Sequence, residues 1–189
     1  MGSAPRHVTR TKSLDVSPSG GDRYHFASRL TDTATGGDFD GDSVVVHDFG
    51  VEGDVEGPQL TVVALAVSAF THPYAACPFV IPASQDLVGH SVMSNWRRSV
   101  LDQLGGTQGC THINTVLLGL GEMTTMIFFL RMNEIVSYDE DTRTDGRWIA
   151  EGLSIAPSLA GVCHGLRADG PALRPVLHTS STTLDQRSR

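Results

Sequence analysis

A chain of 189 residues, 40% of them hydrophobic, is long enough to bury a core as one globular domain flanked by tails. Its formal charge is −7, and its positive charge is carried almost wholly by arginine, with Lys12 the only lysine. That composition lacks the basic stripe needed to bind a phosphate backbone, so no nucleic-acid partner is expected. The three cysteines are widely spaced, which fits a reducing compartment better than a disulfide framework, and the first residues lack the apolar segment of a secretory signal. A cytoplasmic location is expected.

Residues 1–21 are rich in Ser, Pro, Gly and Thr and show no periodicity, so they are expected to form a disordered arm. From Arg23 the sequence alternates, with Tyr24, Phe26 and Leu30 among polar groups, and predicts a half-buried strand ending at Thr31-Asp32. Thr33 to Gly41 reads as a loop and Ser43 to Phe49 as a second, β-branched strand. Gly50 to Pro58 reads as an acidic turn, and Leu60 to Phe70 as a third strand. Consecutive strands with short connections make an antiparallel meander the simplest topology.

Beyond Phe70 the pattern becomes helical. Prolines on both sides of Cys77 hold it in an irregular loop, Ser84 is placed to cap a short helix, and Ser94 to cap another running to Leu104. After Gly105-Gly106, Thr111 is placed to cap a helix whose apolar positions Ile113, Val116, Leu117, Leu120, Met123, Ile127 and Leu130 follow a 3.6-residue period. The stretch Ile113 to Met132 has the length of a membrane span but carries Asn114, Glu122 and Arg131, which favours a buried central helix and no membrane partner. Glu122 is read as facing solvent, the alternative being a buried acid or base. Ser137 to Arg147 reads as a loop and Trp148 to Leu153 as a short helix or strand. The segment around Cys163 reads as a hairpin turning at Asp169-Gly170, and 179–189 as a disordered tail. The expected architecture is α+β, an antiparallel β-meander followed by two or three helices packed on the sheet, forming a single domain over 22–178.

Chemistry concentrates in Gly109-Cys110-Thr111-His112. A cysteine just before a first helical turn meets free N–H groups and the positive end of the helix dipole, which favour the thiolate that attacks electrophiles or binds metal. Cys77, Cys110 and Cys163 with His112 or His164 supply a donor set suited to zinc or iron, and three protein ligands would leave a position for water or substrate. Residues i and i+2 of a helix point apart, so Cys77 and the Cys163-His164 pair are the expected partners of Cys110, with His112 the least secure member. Three alternatives remain: a metal site from Cys77, Cys110, His112 and Cys163, a metal-free Cys/His site, or unrelated buried cysteines. The expected function is a metal-binding protein. The alternative is a small-molecule isomerase, lyase or hydrolase using an open metal or a Cys110 thiolate with His47, His112 or His164 as base.

The Pro73-Tyr74 pair before Cys77, the Leu104-Gly105-Gly106 and Gly109-Cys110-Thr111-His112 block, Cys163-His164-Gly165-Leu166 with Asp169-Gly170, and Val46-His47-Asp48-Phe49 together resemble domain-of-unknown-function family 2889. That likeness covers residues 23 to 178 and implies no established activity. A weaker likeness is to iron-sulfur cluster scaffold proteins. Cys110 matches their helix-opening cysteine and Cys163 the late one, while His47-Asp48 stands where the first cysteine would be.

Overall fold

The computed structural model describes residues 7–36, 43–167, 170 and 173. The first six residues of the expected arm, most of the Thr33 to Gly41 loop, Asp169 and the 179–189 tail lie outside them. The chain divides into two compact units, Met1–Ile127 and Phe128–Arg189.

The first unit is an α+β domain built on a four-stranded antiparallel meander in the order β1 (His7–Gly20), β2 (Arg23–Thr35), β3 (Ser43–Glu56), β4 (Thr61–Thr71). Three of these strands are where the sequence places strands, β2 and β3 with longer bounds and β4 shifted by one residue. Gly50 to Glu56, read as a turn, continues β3, because Val51 and Val55 keep the alternation and are buried. The expected disordered arm is corrected over residues 7–20, which form edge strand β1. Its apolar positions are few, Leu14 and Val16 being only half-buried, so it is held by its ladder to β2 rather than by a core face.

One face of the sheet carries Tyr24, Phe26, Leu30, Phe49, Val51, Val55 and Val62, all buried. Against it lies α2 (Thr111–Gly119), which contacts β3 and β2, while α1 (Trp96–Leu104) packs on α2 and on the 3₁₀ turn Pro82–Leu87. A 3₁₀ turn at Leu120–Glu122 joins α2 to α3 (Met123–Ile135). The run Thr111–Ile135 is long and apolar enough to cross a membrane by length and composition. Its stripe Ile113, Val116, Leu117, Leu120, Met123 and Ile127 is buried within the first unit, while Glu122 is exposed.

Two helix starts differ from expectation by one residue. Asn95, in the left-handed region at φ 57°, precedes α1 in place of a Ser94 cap, and Cys110, extended at φ −112°, occupies the cap position expected of Thr111. Trp96 opens α1, buries its ring and donates Nε1–H to the Leu117 carbonyl at 2.7 Å, tying α1 to α2. Trp96→Phe keeps most of the apolar burial and leaves the Leu117 carbonyl its backbone donor, the Leu120 N–H, so losing the indole bond is expected to cost about 0.5–1.5 kcal/mol in chemical denaturation. An unchanged midpoint would refute this weight.

The second unit holds α4 (Glu140–Thr144) and α5 (Arg147–Ile155), so the loop read over Ser137 to Arg147 contains a helical turn. Asp139 and Thr142 close a reciprocal capping box there. Gly146, at φ 83°, permits the turn into α5, and Gly152 of α5 packs on Phe128 and Met132. Phe129, Tyr138 and Trp148 cluster with ring centres 4.8–5.3 Å apart, Tyr138 edge-on to the other two. Residues 161–167 are turns, closed by Gly161 N–H donating to the Leu166 carbonyl at 2.7 Å, and not the first limb of a hairpin.

Candidate metal centre

Register places three polar side chains in one row across the sheet. Arg10 of β1 is opposite Asp32 of β2, and Asp32 is opposite His47 of β3. Directly opposed residues of antiparallel strands bring their Cβ atoms to about 4.5–5.5 Å, so a row is a ready-made cluster. Asp32 follows Phe26, Ser28 and Leu30 on the buried face, and is itself only 5% exposed. His47 lies two residues before buried Phe49 on the same face. Immediately beyond it the pairing slips, so that Thr33 pairs with Val45 and Val46 is the extra residue of a bulge. Such bulges end regular pairing next to sites.

The fourth member comes from α2. Cys110 leaves the sheet-like backbone at its extended φ, its carbonyl accepts the first helical hydrogen bond from Asn114 N–H (2.8 Å), and His112 falls in the first turn, above the row. The His112 ring stacks on His47 with centres 3.8 Å apart and lies parallel to Phe49 at 5.5 Å.

The geometry converges on one oxygen. His47 Nδ1 donates to Asp32 Oδ2 at 2.9 Å, and His112 Nε2 lies 3.7 Å from the same atom. One donor atom from each of Asp32, His47 and His112 falls within 4.8 Å of the others, an arrangement able to hold a metal ion. Ligands bound at about 2.0–2.2 Å to a common ion sit about 3–3.5 Å apart, so small side-chain adjustments suffice. Arg10 grips the carboxylate side-on, Nε donating to Oδ1 and Nη2 to Oδ2, both at 2.7 Å. That guanidinium, followed by the His47 hydrogen bond, holds the Asp32 carboxyl below the usual carboxylate range against the opposing effect of burial. Burial first, then the neighbouring His47 and Arg10 charges, lower the His112 pKa, which favours the neutral imidazole that metal binding requires.

Of the residues singled out in sequence, His112 and His47 are in this cluster and the cysteines are not. Cys110 borders it: its Sγ lies 4.0 Å from His112 Nδ1, so the i, i+2 argument against that pair fails because Cys110 is not yet helical. Cys77 begins a 3₁₀ turn, Cys77–Val80, and is half-buried. Cys163 is exposed, and so is His164, whose ring lies against Arg167. Of the expected ligand set Cys77, Cys110, His112 and Cys163, only His112 belongs to the group of Asp32, His47 and His112 that could hold a metal ion among the described residues, and that group contains no cysteine. Sequence reasoning missed Asp32 and Arg10. The available signal was the alternation Phe26, Ser28, Leu30, Asp32, which continues the buried face through the aspartate instead of ending before it.

The opposite face of the sheet carries a furrow of about 400 Å³ floored by Ala27, Gly50 and Ala66. At its edge Arg29 pairs with Asp48, holding that carboxyl below its usual range, and lies 4.7 Å from the centre of the Phe70 ring.

A family model described as "Protein of unknown function (DUF2889)" matches residues 8–126. That span includes Arg10, Asp32, His47, Cys110 and His112 and stops before Cys163 and His164, so the late Cys-His pair lies outside the matched region. No curated protein and no solved structure matches the chain. The likeness to iron-sulfur scaffolds gains no support from these findings.

Proposed function

We propose, from the premise that this chain belongs to the DUF2889 family of proteins of unknown function, that it binds a single divalent transition-metal ion through Asp32, His47 and His112. The observation that carries this reading is the approach of two imidazole nitrogens to one carboxylate oxygen, at 2.9 and 3.7 Å. Two imidazoles and a carboxylate suit zinc and iron(II). Three protein ligands leave positions for water or a substrate, the requirement for Lewis-acid or metal-hydroxide chemistry. Phe49 beneath the His112 ring and Cys110 beside its Nδ1 hold that imidazole in place.

A second reading needs no metal. The His47–Asp32 hydrogen bond is a carboxylate-oriented imidazole, able to move a proton in an isomerase, lyase or hydrolase acting on a small molecule.

Elemental analysis of the full-length protein after loading with zinc or iron(II) separates the two. One metal per chain is expected in the wild type, retained in Cys77→Ser and Cys163→Ser and lost in His112→Ala. A wild type that takes up no metal removes the first reading. Loss of metal in both cysteine variants would return the ligand set to the thiols.

A further inference from the structure

We propose that Arg10 makes this a joint site for a metal and an oxoanion. The ligand completing the metal's coordination is a carboxylate or phosphoryl group, held between the ion and the guanidinium. The inference rests on the metal reading above and deepens it by naming the class of ligand.

Asp32 Oδ2 is the oxygen that both imidazoles approach, so an ion held by His47 and His112 takes that oxygen. Arg10 Nη2 already donates to it at 2.7 Å. An ion bonded to Oδ2 at about 2.1 Å and a guanidinium nitrogen bonded to the same atom are close neighbours of like sign in a part-buried setting, where water screens their repulsion poorly. Asp32 supplies one negative charge against the two of the ion and the one of Arg10, and both imidazoles bind as neutral groups.

An oxoanion resolves the conflict. With one oxygen on an open position of the metal and a second accepting from the guanidinium, it places negative charge between the two cations and uses the planar donor fork that arginine presents to carboxylates and phosphates. Arg10 is suited to this second task because its side chain is 46% exposed and its Nη1 is not engaged with Asp32. Lys12, two residues along the same face of β1, adds positive charge to this edge. Its ammonium lies 3.8 Å from where a Cβ on Gly119 would stand, and among the described residues no carboxylate forms an ion pair with it. A metal alone therefore binds against Arg10 and a metal with an oxoanion binds with its help, so by linkage each raises the affinity of the other.

The test is a Co²⁺ titration of the full-length protein followed by visible absorption. It is run in chloride and then, at matched ionic strength, with acetate or methylphosphonate, on wild type and Arg10→Ala. In the wild type at least one oxoanion is expected to tighten Co²⁺ binding about tenfold and to shift the cobalt bands, within the usual range of such couplings. Whichever acts more strongly identifies the head group as carboxylate or phosphoryl. Arg10→Ala is expected to bind Co²⁺ more tightly than wild type in chloride and to lose the anion dependence. Cobalt binding that ignores both oxoanions in the wild type overturns this inference alone, as does full anion dependence in Arg10→Ala. Absence of a cobalt spectrum in both proteins under every condition removes the metal reading and this inference together. Thermal melts of both proteins confirm that each is folded.

Discussion

Asp32→Asn is expected to weaken Co²⁺ or Zn²⁺ binding by on the order of a hundredfold or more. The amide keeps the shape of the carboxylate but lacks the charge and donor strength that a divalent ion needs, while His47 and His112 keep their ring packing on each other and on Phe49. Arg10 loses a bidentate partner. Because that guanidinium is half-exposed and can turn to water, the accompanying loss of stability is expected to be only about 1 kcal/mol. A metal titration beside a chemical denaturation curve measures both quantities. Affinity within threefold of wild type would show that Asp32 is not a ligand.

Gly109→Ala is expected to produce the largest loss of stability in the helix-opening motif, about 2–4 kcal/mol. Gly109 is extended at φ −134°, a conformation open to alanine, so the obstacle is space and not torsion. A Cβ there would stand 1.8 Å from the Leu104 carbonyl oxygen, which also accepts a hydrogen bond from Asn114 Nδ2 at 2.6 Å. Backbone has to move, and the segment that moves is the one leading through Cys110 to His112. For a chain of this size the melting temperature is expected to fall by roughly 5–15 °C, with weaker metal binding alongside. Gly106→Ala is the control. Gly106 sits at φ 59° with no atom within 4 Å of the added carbon, so only the torsional cost of about 1 kcal/mol applies. Gly109→Ala melting together with Gly106→Ala would refute the steric argument.

The fold was more legible than the site, for identifiable reasons. The strands announce themselves over 23–32 through local alternation, over 43–49 through β-branched residues and over 60–70 through an apolar run, and the helical run through 111–135 through its 3.6-residue stripe. Strand β1 does not, because an edge strand with only Leu14 and Val16 half-buried owes its conformation to pairing with β2. The helix-opening motif reads as chemical, but the stronger local signal in it is the sulfur of Cys110. A thiol at a helix start has a recognised chemistry of its own, whereas an imidazole in the first turn acquires one only from what lies beneath it.

What lies beneath His112 is a row whose members are far apart in sequence. Arg10, Asp32 and His47 meet because two connections set the register between three strands, and register is a long-range property that no local window carries. Asp32 was read as the end of a strand because aspartate followed by Thr-Ala-Thr-Gly-Gly resembles a turn. Its buried position becomes readable only once the face carrying Phe26 and Leu30 is extended by two more residues.

The bulge at Val46 also bears on how this site tolerates sequence change. In a regular ladder, a residue gained or lost within β3 between Ser43 and His47 puts one side of the change on the wrong face. Val46 is already an unpaired extra residue at that point, so the pairing before it, Thr33 with Val45, is uncoupled in register from the pairing of Asp32 with His47. A change in the first residues of β3 can therefore be taken up at the bulge while Asp32 and His47 stay opposed across the sheet.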